Sequence, residues 1–135
     1  MREILFRGAL VIDGHIVEWY YGLLEKVKDS YDGSVIYFIT DEEGESHCVD
    51  ENTIGQYTGF KDNNGKKIFE GDILKYINDD NETLYLTVVF EECAFLINDS
   101  GITEYDLLPT FFCLGIEVAG NIHENPELLK EAEQE

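Results

Sequence analysis

The sequence predicts a mainly β protein: a small SH3-like barrel or pseudo-barrel of short antiparallel strands, with an N-terminal β lobe and a short C-terminal helix. Three observations carry this expectation. Turn signals recur at Asp13-Gly14, Asp32-Gly33, Asp41-Glu42-Glu43-Gly44, Asn64-Gly65 and Asp99-Ser100-Gly101, so most runs between them suit strands. Those runs alternate in polarity or are β-branched and aromatic throughout, as in Val35-Ile36-Tyr37-Phe38-Ile39. Finally, Gly55 to Tyr76 reads as a hairpin followed by a glycine corner, Glu70-Gly71-Asp72-Ile73, of the kind that enters a strand in SH3-like barrels. That analogy concerns fold and carries no function.

Taken in order, Glu3 to Phe6 reads as a first strand that Arg7-Gly8 closes, and Ala9 to Ile12 extends to the hairpin dipeptide Asp13-Gly14. Ile16 to Val27 follows as a long strand with Val17, Trp19, Tyr21 and Leu23 on one face. Gly22 interrupts it, which predicts a bulge or a close backbone approach, and with it a bend between two sheets. After the loop at 28–33, Val35 to Ile39 reads as a strand buried on both faces, and Ser46 to Val49 as its return partner. Asp50-Glu51-Asn52-Thr53 offers caps for one helical turn.

Strands are then expected at Gln56 to Phe60, from Lys67, at Ile73 to Tyr76, at Leu84 to Phe90, at Ala94 to Ile97, and over Ile102 to Leu108 up to Pro109. Phe111 to Leu114 is apolar, and Glu117 to Ile122 reads as the last strand. Asn125 as N-cap, Pro126 at the first helical position and Glu127 at the positive helix end predict a helix over 126–133. The whole reads as one domain over 1–135, divisible into two β lobes at about 1–53 and 54–123 plus that helix.

With 135 residues, 44% of them hydrophobic, the chain is long enough to build a core without staples. Nine Lys and Arg against 29 Asp and Glu give a net charge of −20, which repels phosphate backbones and disfavours direct nucleic-acid binding. Lys61, Lys66, Lys67 and Lys75 are concentrated in the hairpin stretch, making its tip locally basic on an acidic body. Cys48, Cys93 and Cys113 are odd in number and scattered, which suits small buried hydrophobes in a reducing compartment rather than a disulfide framework. No apolar run approaches membrane-spanning length, so the expected location is the cytoplasm.

Several segments resemble the YopX family of phage and prophage proteins. They are Arg7-Gly8, Trp19-x-Tyr21-Gly22-x-Leu24, Thr53-Ile54-Gly55-Gln56-Tyr57-Thr58-Gly59, Lys61-Asp62-x-x-Gly65-Lys66-Lys67-Ile68-Phe69-Glu70-Gly71-Asp72-Ile73, and Gly120-Asn121-Ile122-His123-Glu124-Asn125-Pro126-Glu127-Leu128-Leu129. They follow the family's order along nearly the whole chain. The resemblance implies a β-rich, phage-encoded protein with no assigned catalytic activity and no catalytic residues to carry over.

Chemical constellations are sparse. Gly59 to Lys67 is a poor match to a phosphate-binding loop, because the spacing is one residue too long and the context is strand, turn, strand. Ser46, His47 and Cys48 are adjacent, but strand alternation puts His47 on the face opposite the two nucleophiles. His15, His47, His123 and the cysteines lack zinc-ligand spacing, and the acidic turns fail the calcium-loop pattern. No catalytic, cofactor-binding or metal-binding residues are therefore expected, and no cofactor.

The function expected is that of a non-enzymatic accessory protein that self-associates or binds a host or phage protein, with neither direct nucleic-acid nor membrane contact. Lys61, Lys66, Lys67 and Phe69 are the candidate interaction residues, and Gly65, Gly71 and Asp72 the structural turn residues. Two alternatives stand beside it: an acidic nucleic-acid mimic that occupies a basic host protein, and an unrecognised hydrolase built on paired side chains in a pocket.

Overall fold

The computed structural model describes residues 3–77, 79–91, 94–99, 105–107 and 116–129, and the chain divides into two compact units, Met1–Tyr57 and Thr58–Glu135. The first unit holds β1 (Phe6–Ile12), β2 (His15–Lys28), β3 (Val35–Thr40), β4 (Ser46–Val49), a helical turn at Glu51–Thr53 and the start of β5 (Gly55–Lys61). Its strands lie in the order β4-β3-β2-β1-β5, paired antiparallel. Asp13 and Gly14 close the first hairpin with φ of 52° and 79°, the positive values that a tight two-residue turn requires. Arg7 and Gly8, expected to end a strand, lie within β1.

β2 changes partners at Gly22. Up to that residue it pairs with β1, and from Leu23 onward with β3. A Cβ at Gly22 would lie 1.9 Å from the carbonyl oxygen of Thr40, so only glycine lets the β3 backbone cross this close. The close backbone approach predicted from that glycine is what the structure shows, and both pairings of β2 lie in one six-stranded sheet. The face bearing Val17, Tyr21 and Leu23 is open to solvent, and Val35 and Ile36 at the start of β3 are exposed too, so β3 is not buried on both faces along its length.

After β4 the chain folds back on β1. The Asp50 amide donates to the Ala9 carbonyl at 2.8 Å, the Ala9 amide donates to Thr53 Oγ1 at 2.8 Å, and the Thr53 hydroxyl donates to the Asp50 carbonyl at 2.7 Å. Asp50 caps the helical turn by accepting from the Asn52 amide at 2.9 Å, as its residue type predicts. Val49 packs so tightly on β1 that a Cβ at Gly8 would sit 2.8 Å from its Cγ2. Ala9, Ile39, Val49 and Tyr57 form the buried apolar part of this unit. Arg7 is buried with them, its guanidinium carbon 4.8 Å from the centroid of the Trp19 ring, a cation–π placement.

β5 leads into the second unit, where it forms a hairpin with β6 (Lys67–Phe69). There follow β7 (Asp72–Ile77), β8 (Thr83–Glu91), β9 (Ala94–Asp99), β10 (Tyr105–Leu107) and β11 (Glu117–Asn121), in a sheet of order β10-β9-β8-β7-β11. Leu74 pairs with Leu86 and Val118, and Tyr76 with Leu84, so one face of β7, β8 and β11 is continuously apolar. Ile68, Leu74, Leu86, Val88 and Ile116 make the buried cluster there, with Phe60, Tyr76, Leu84 and Val118 packed against it. Burial of each large aliphatic side chain contributes about 2 kcal/mol before entropy is subtracted.

The mainly β class and the short C-terminal helical turn are therefore as expected. Both strand orders have two free ends, so neither sheet closes into a barrel and the SH3-like likeness is loose. Between the end of β4 and β1 the Asp50 amide donates to the Ala9 carbonyl, and among the described residues no strand ladder pairs β4 with β1. Residues 127–129 are helical, with Leu128 and Leu129 donating to the carbonyls of Asn125 and Pro126 at 3.2 Å each. The predicted continuation over 130–133 lies outside the described residues, as do Cys93, Cys113, Pro109 and Phe111 to Leu114. Cys48, expected to be buried, is exposed on β4. Among the described residues no helix is long and apolar enough to cross a membrane.

Candidate functional site

Two turns carry the polar groups that matter most, and each is built from a short-range rule. At the tip of the β5–β6 hairpin the organising residue is Asp62. Its Oδ1 accepts from the amides of Asn64 at 2.8 Å and Lys66 at 2.9 Å, an Asx-type turn that leaves Gly65 at φ 80°. Its Oδ2 accepts from the Val118 amide of β11 at 2.9 Å, and the neighbouring Asn63 amide donates to the Ile116 carbonyl at 3.1 Å. The tip is thus bolted to β11, 56 residues away in sequence, and Asp62 is only 8% exposed. Burial pushes its carboxyl pKa up. The amides of Val118, Lys66 and Asn64 and the charge of Lys66 outweigh that and hold it below the ordinary carboxylate range.

Around this anchor Lys61 and Lys66 are exposed and Lys67 is half-buried. Phe69, named with them as a candidate interaction residue, is 3% exposed and belongs to the interior. The corner that follows is built as its residues suggest. Gly71 takes φ 91°, and Asp72, 1% exposed, accepts from the Phe69 amide through Oδ2 at 2.7 Å. The Gly71 amide donates to the Val88 carbonyl and its carbonyl accepts from the Ile122 amide, both at 2.9 Å, so the corner ties β8 to the end of β11. The Gly59 to Lys67 segment is strand, turn, strand, without the helix N-terminus that a phosphate loop needs.

The second turn joins β3 to β4. Asp41 Oδ1 accepts from the amides of Glu43 and Glu45 at 3.0 Å each, and Gly44 turns the chain at φ 84°. Asp41 Oδ2 faces His47 Nε2 at 2.8 Å. The His47 hydrogen bond first, and the Glu45 amide next, lower the Asp41 pKa. The His47 ring stacks on Tyr20 with centroids 3.9 Å apart and planes 4° from parallel. One donor atom each from Asp41, Glu45 and His47 lies within 4.8 Å of the others.

His47 pairs across the ladder with Ile39, whereas Cys48 pairs with Phe38 and Ser46 with Thr40. Ser46 Oγ lies 3.0 Å from Thr40 Oγ1, and neither nucleophile shares a face with the imidazole. Spacing rules for zinc sites did not point to the Asp41, Glu45 and His47 group. The usable signal was the hairpin itself, which brings the first and last residues of a tight turn side by side.

The Gly-Asn-Ile-His-Glu-Asn-Pro segment also resolves into local chemistry. Asn121 Oδ1 accepts from the amides of His123 and Glu124 at 3.0 and 2.9 Å, and the Asn121 amide donates to Asn125 Oδ1 at 3.2 Å. A Cβ at Gly120 would stand 2.4 Å from that same Asn125 oxygen. These residues are accounted for by a turn that seeds the terminal helix.

The arrangement is that of a β-rich module of two open antiparallel sheets whose hairpin turns are closed by Asx-type hydrogen bonds. The chain belongs to the YopX family: the model of that family, described as YopX protein, matches residues 5–130. Solved structures agree. The YopX protein of Bacillus subtilis is 21% identical, with a TM-score of 0.56, over 95% of this chain and 98% of that one. Protein EF1440 of Enterococcus faecalis is 26% identical, with a TM-score of 0.58, over 96% of this chain and 99% of its own. No curated protein matches the chain.

Proposed function

We propose that the protein is a non-enzymatic accessory module of phage or prophage, acting in the bacterial cytoplasm by binding protein, in the first instance further copies of itself. The observation that carries this reading is a cationic tip held rigid on an acidic body. Lys61 and Lys66 are exposed beside the buried Asp62 anchor, while the whole chain has a charge of −20. Such a tip attracts the acidic surface of a second copy in a head-to-tail sense, and its fixed backbone loses little entropy on docking.

Light scattering after size exclusion, at several protein concentrations, tests it. Association at low salt that weakens on raising NaCl, and that is lost in the Lys66→Glu, Lys67→Glu double variant, is the expected result. A species that stays monomeric at every concentration and salt removes self-association from the account.

A further inference from the structure

We propose that the β3–β4 turn is a binding site for a divalent first-row transition ion of the zinc class, held by Asp41 Oδ2, the Glu45 carboxylate and His47 Nε2. The donor set is one imidazole and two carboxylates, all within 4.8 Å of one another. An imidazole in the set argues for a zinc-like ion over magnesium or calcium, which take oxygen ligands. Two carboxylates with a neutral imidazole balance the charge of a divalent ion.

Each donor except Glu45 is already aimed. The Glu43 and Glu45 amides, both 3.0 Å from Asp41 Oδ1, fix that carboxylate so that Oδ2 points at His47. Stacking on Tyr20 at 3.9 Å holds the imidazole from outside the turn. The ion takes the place of the proton now shared across the 2.8 Å Asp41–His47 contact. Ligand bonds of about 2.0–2.1 Å in a tetrahedron set donors about 3.3 Å apart, so the pair opens by only a few tenths of an ångström. Glu45 is exposed and swings in from solvent, leaving the fourth position to water. The competing account is that Asp41–His47 is only a latch on the turn.

Isothermal titration of zinc chloride into the full chain decides between them. Saturable uptake at one equivalent is expected, with His47→Gln abolishing it, Glu45→Gln weakening it about tenfold, and Cys48→Ser leaving it unchanged. Glu45→Gln retains the backbone bonds of the turn and reads coordination without disturbing the fold, which its unaltered melting temperature verifies. Perturbation of the His47 ring resonances should saturate at the same equivalent. An absence of saturable uptake, or stoichiometric uptake that survives both His47→Gln and Glu45→Gln, overturns the assignment.

Discussion

Replacing Asp62 by alanine tests whether the hairpin tip is a structural joint or a free loop. The carboxylate accepts three backbone amides, from Asn64, Lys66 and Val118, at 2.8, 2.9 and 2.9 Å. A hydrogen bond to a charged group stabilises by about 1.5–3 kcal/mol. Asn64 and Lys66 lie at the exposed tip, so their freed amides recover water and each loss is discounted to about 0.5 kcal/mol. Val118 is half-buried in β11, and its amide would be left without a partner, at a cost of about 2 kcal/mol. The sum is about 3 kcal/mol, which for a chain of this size lowers the melting temperature by roughly 10 °C.

The assay is a circular-dichroism melt combined with amide exchange at Val118, whose protection should fall first. Asp62→Asn, which keeps one acceptor oxygen, should lose roughly half as much. The pH dependence has a definite sign. Because the folded carboxyl lies below its unfolded value, its stabilisation is complete above about pH 4 and is lost as pH falls through the lower folded value. Wild type and Asp62→Ala should therefore converge in acid. Equal melting temperatures at pH 7 with unchanged Val118 exchange would refute the joint.

Two further substitutions address the first unit. Gly22→Ala places a methyl 1.9 Å from the Thr40 carbonyl oxygen, which is backbone and cannot step aside. The expected result is a loss of several kcal/mol or an insoluble product, read by urea unfolding, and a near-neutral variant would show that the close approach of β3 does not require glycine. Thr53→Val keeps the shape but deletes both bonds of the hydroxyl, to the Ala9 amide and the Asp50 carbonyl, inside a buried site. A loss of about 2 kcal/mol with faster exchange at the Ala9 amide is expected; unaltered Ala9 exchange would show that Thr53 is not its partner.

Much of the fold was legible because its signals are local. A Gly inside β2, Asp13-Gly14 between two alternating runs and the Glu70-Gly71-Asp72 corner each need φ values or clearances that few other residues supply. Strands β2, β3, β4 and β7 fall within a few residues of their expected positions for the same reason, whereas the first strand, expected from Glu3 and closed at Arg7-Gly8, runs instead over Phe6–Ile12. Burial was less legible. Val35, Ile36 and Cys48 have apolar character yet lie exposed, because which face of a strand is covered depends on what is packed over it. Phe69 went the other way, from expected contact surface to interior.

Residue order and composition by themselves determined the β class, the turn positions, the acidic field and the basic hairpin stretch, since each depends on side-chain volume, backbone freedom or charge within a few neighbours. Tertiary structure alone decided that the sheets stay open, that Asp62 answers to Val118, and that His47 meets Asp41 and Tyr20. Those are outcomes of which backbone amides and ring faces remain to be satisfied once strands have paired, and for Asp62 and Val118, 56 residues apart, no short window of sequence contains both halves of the contact.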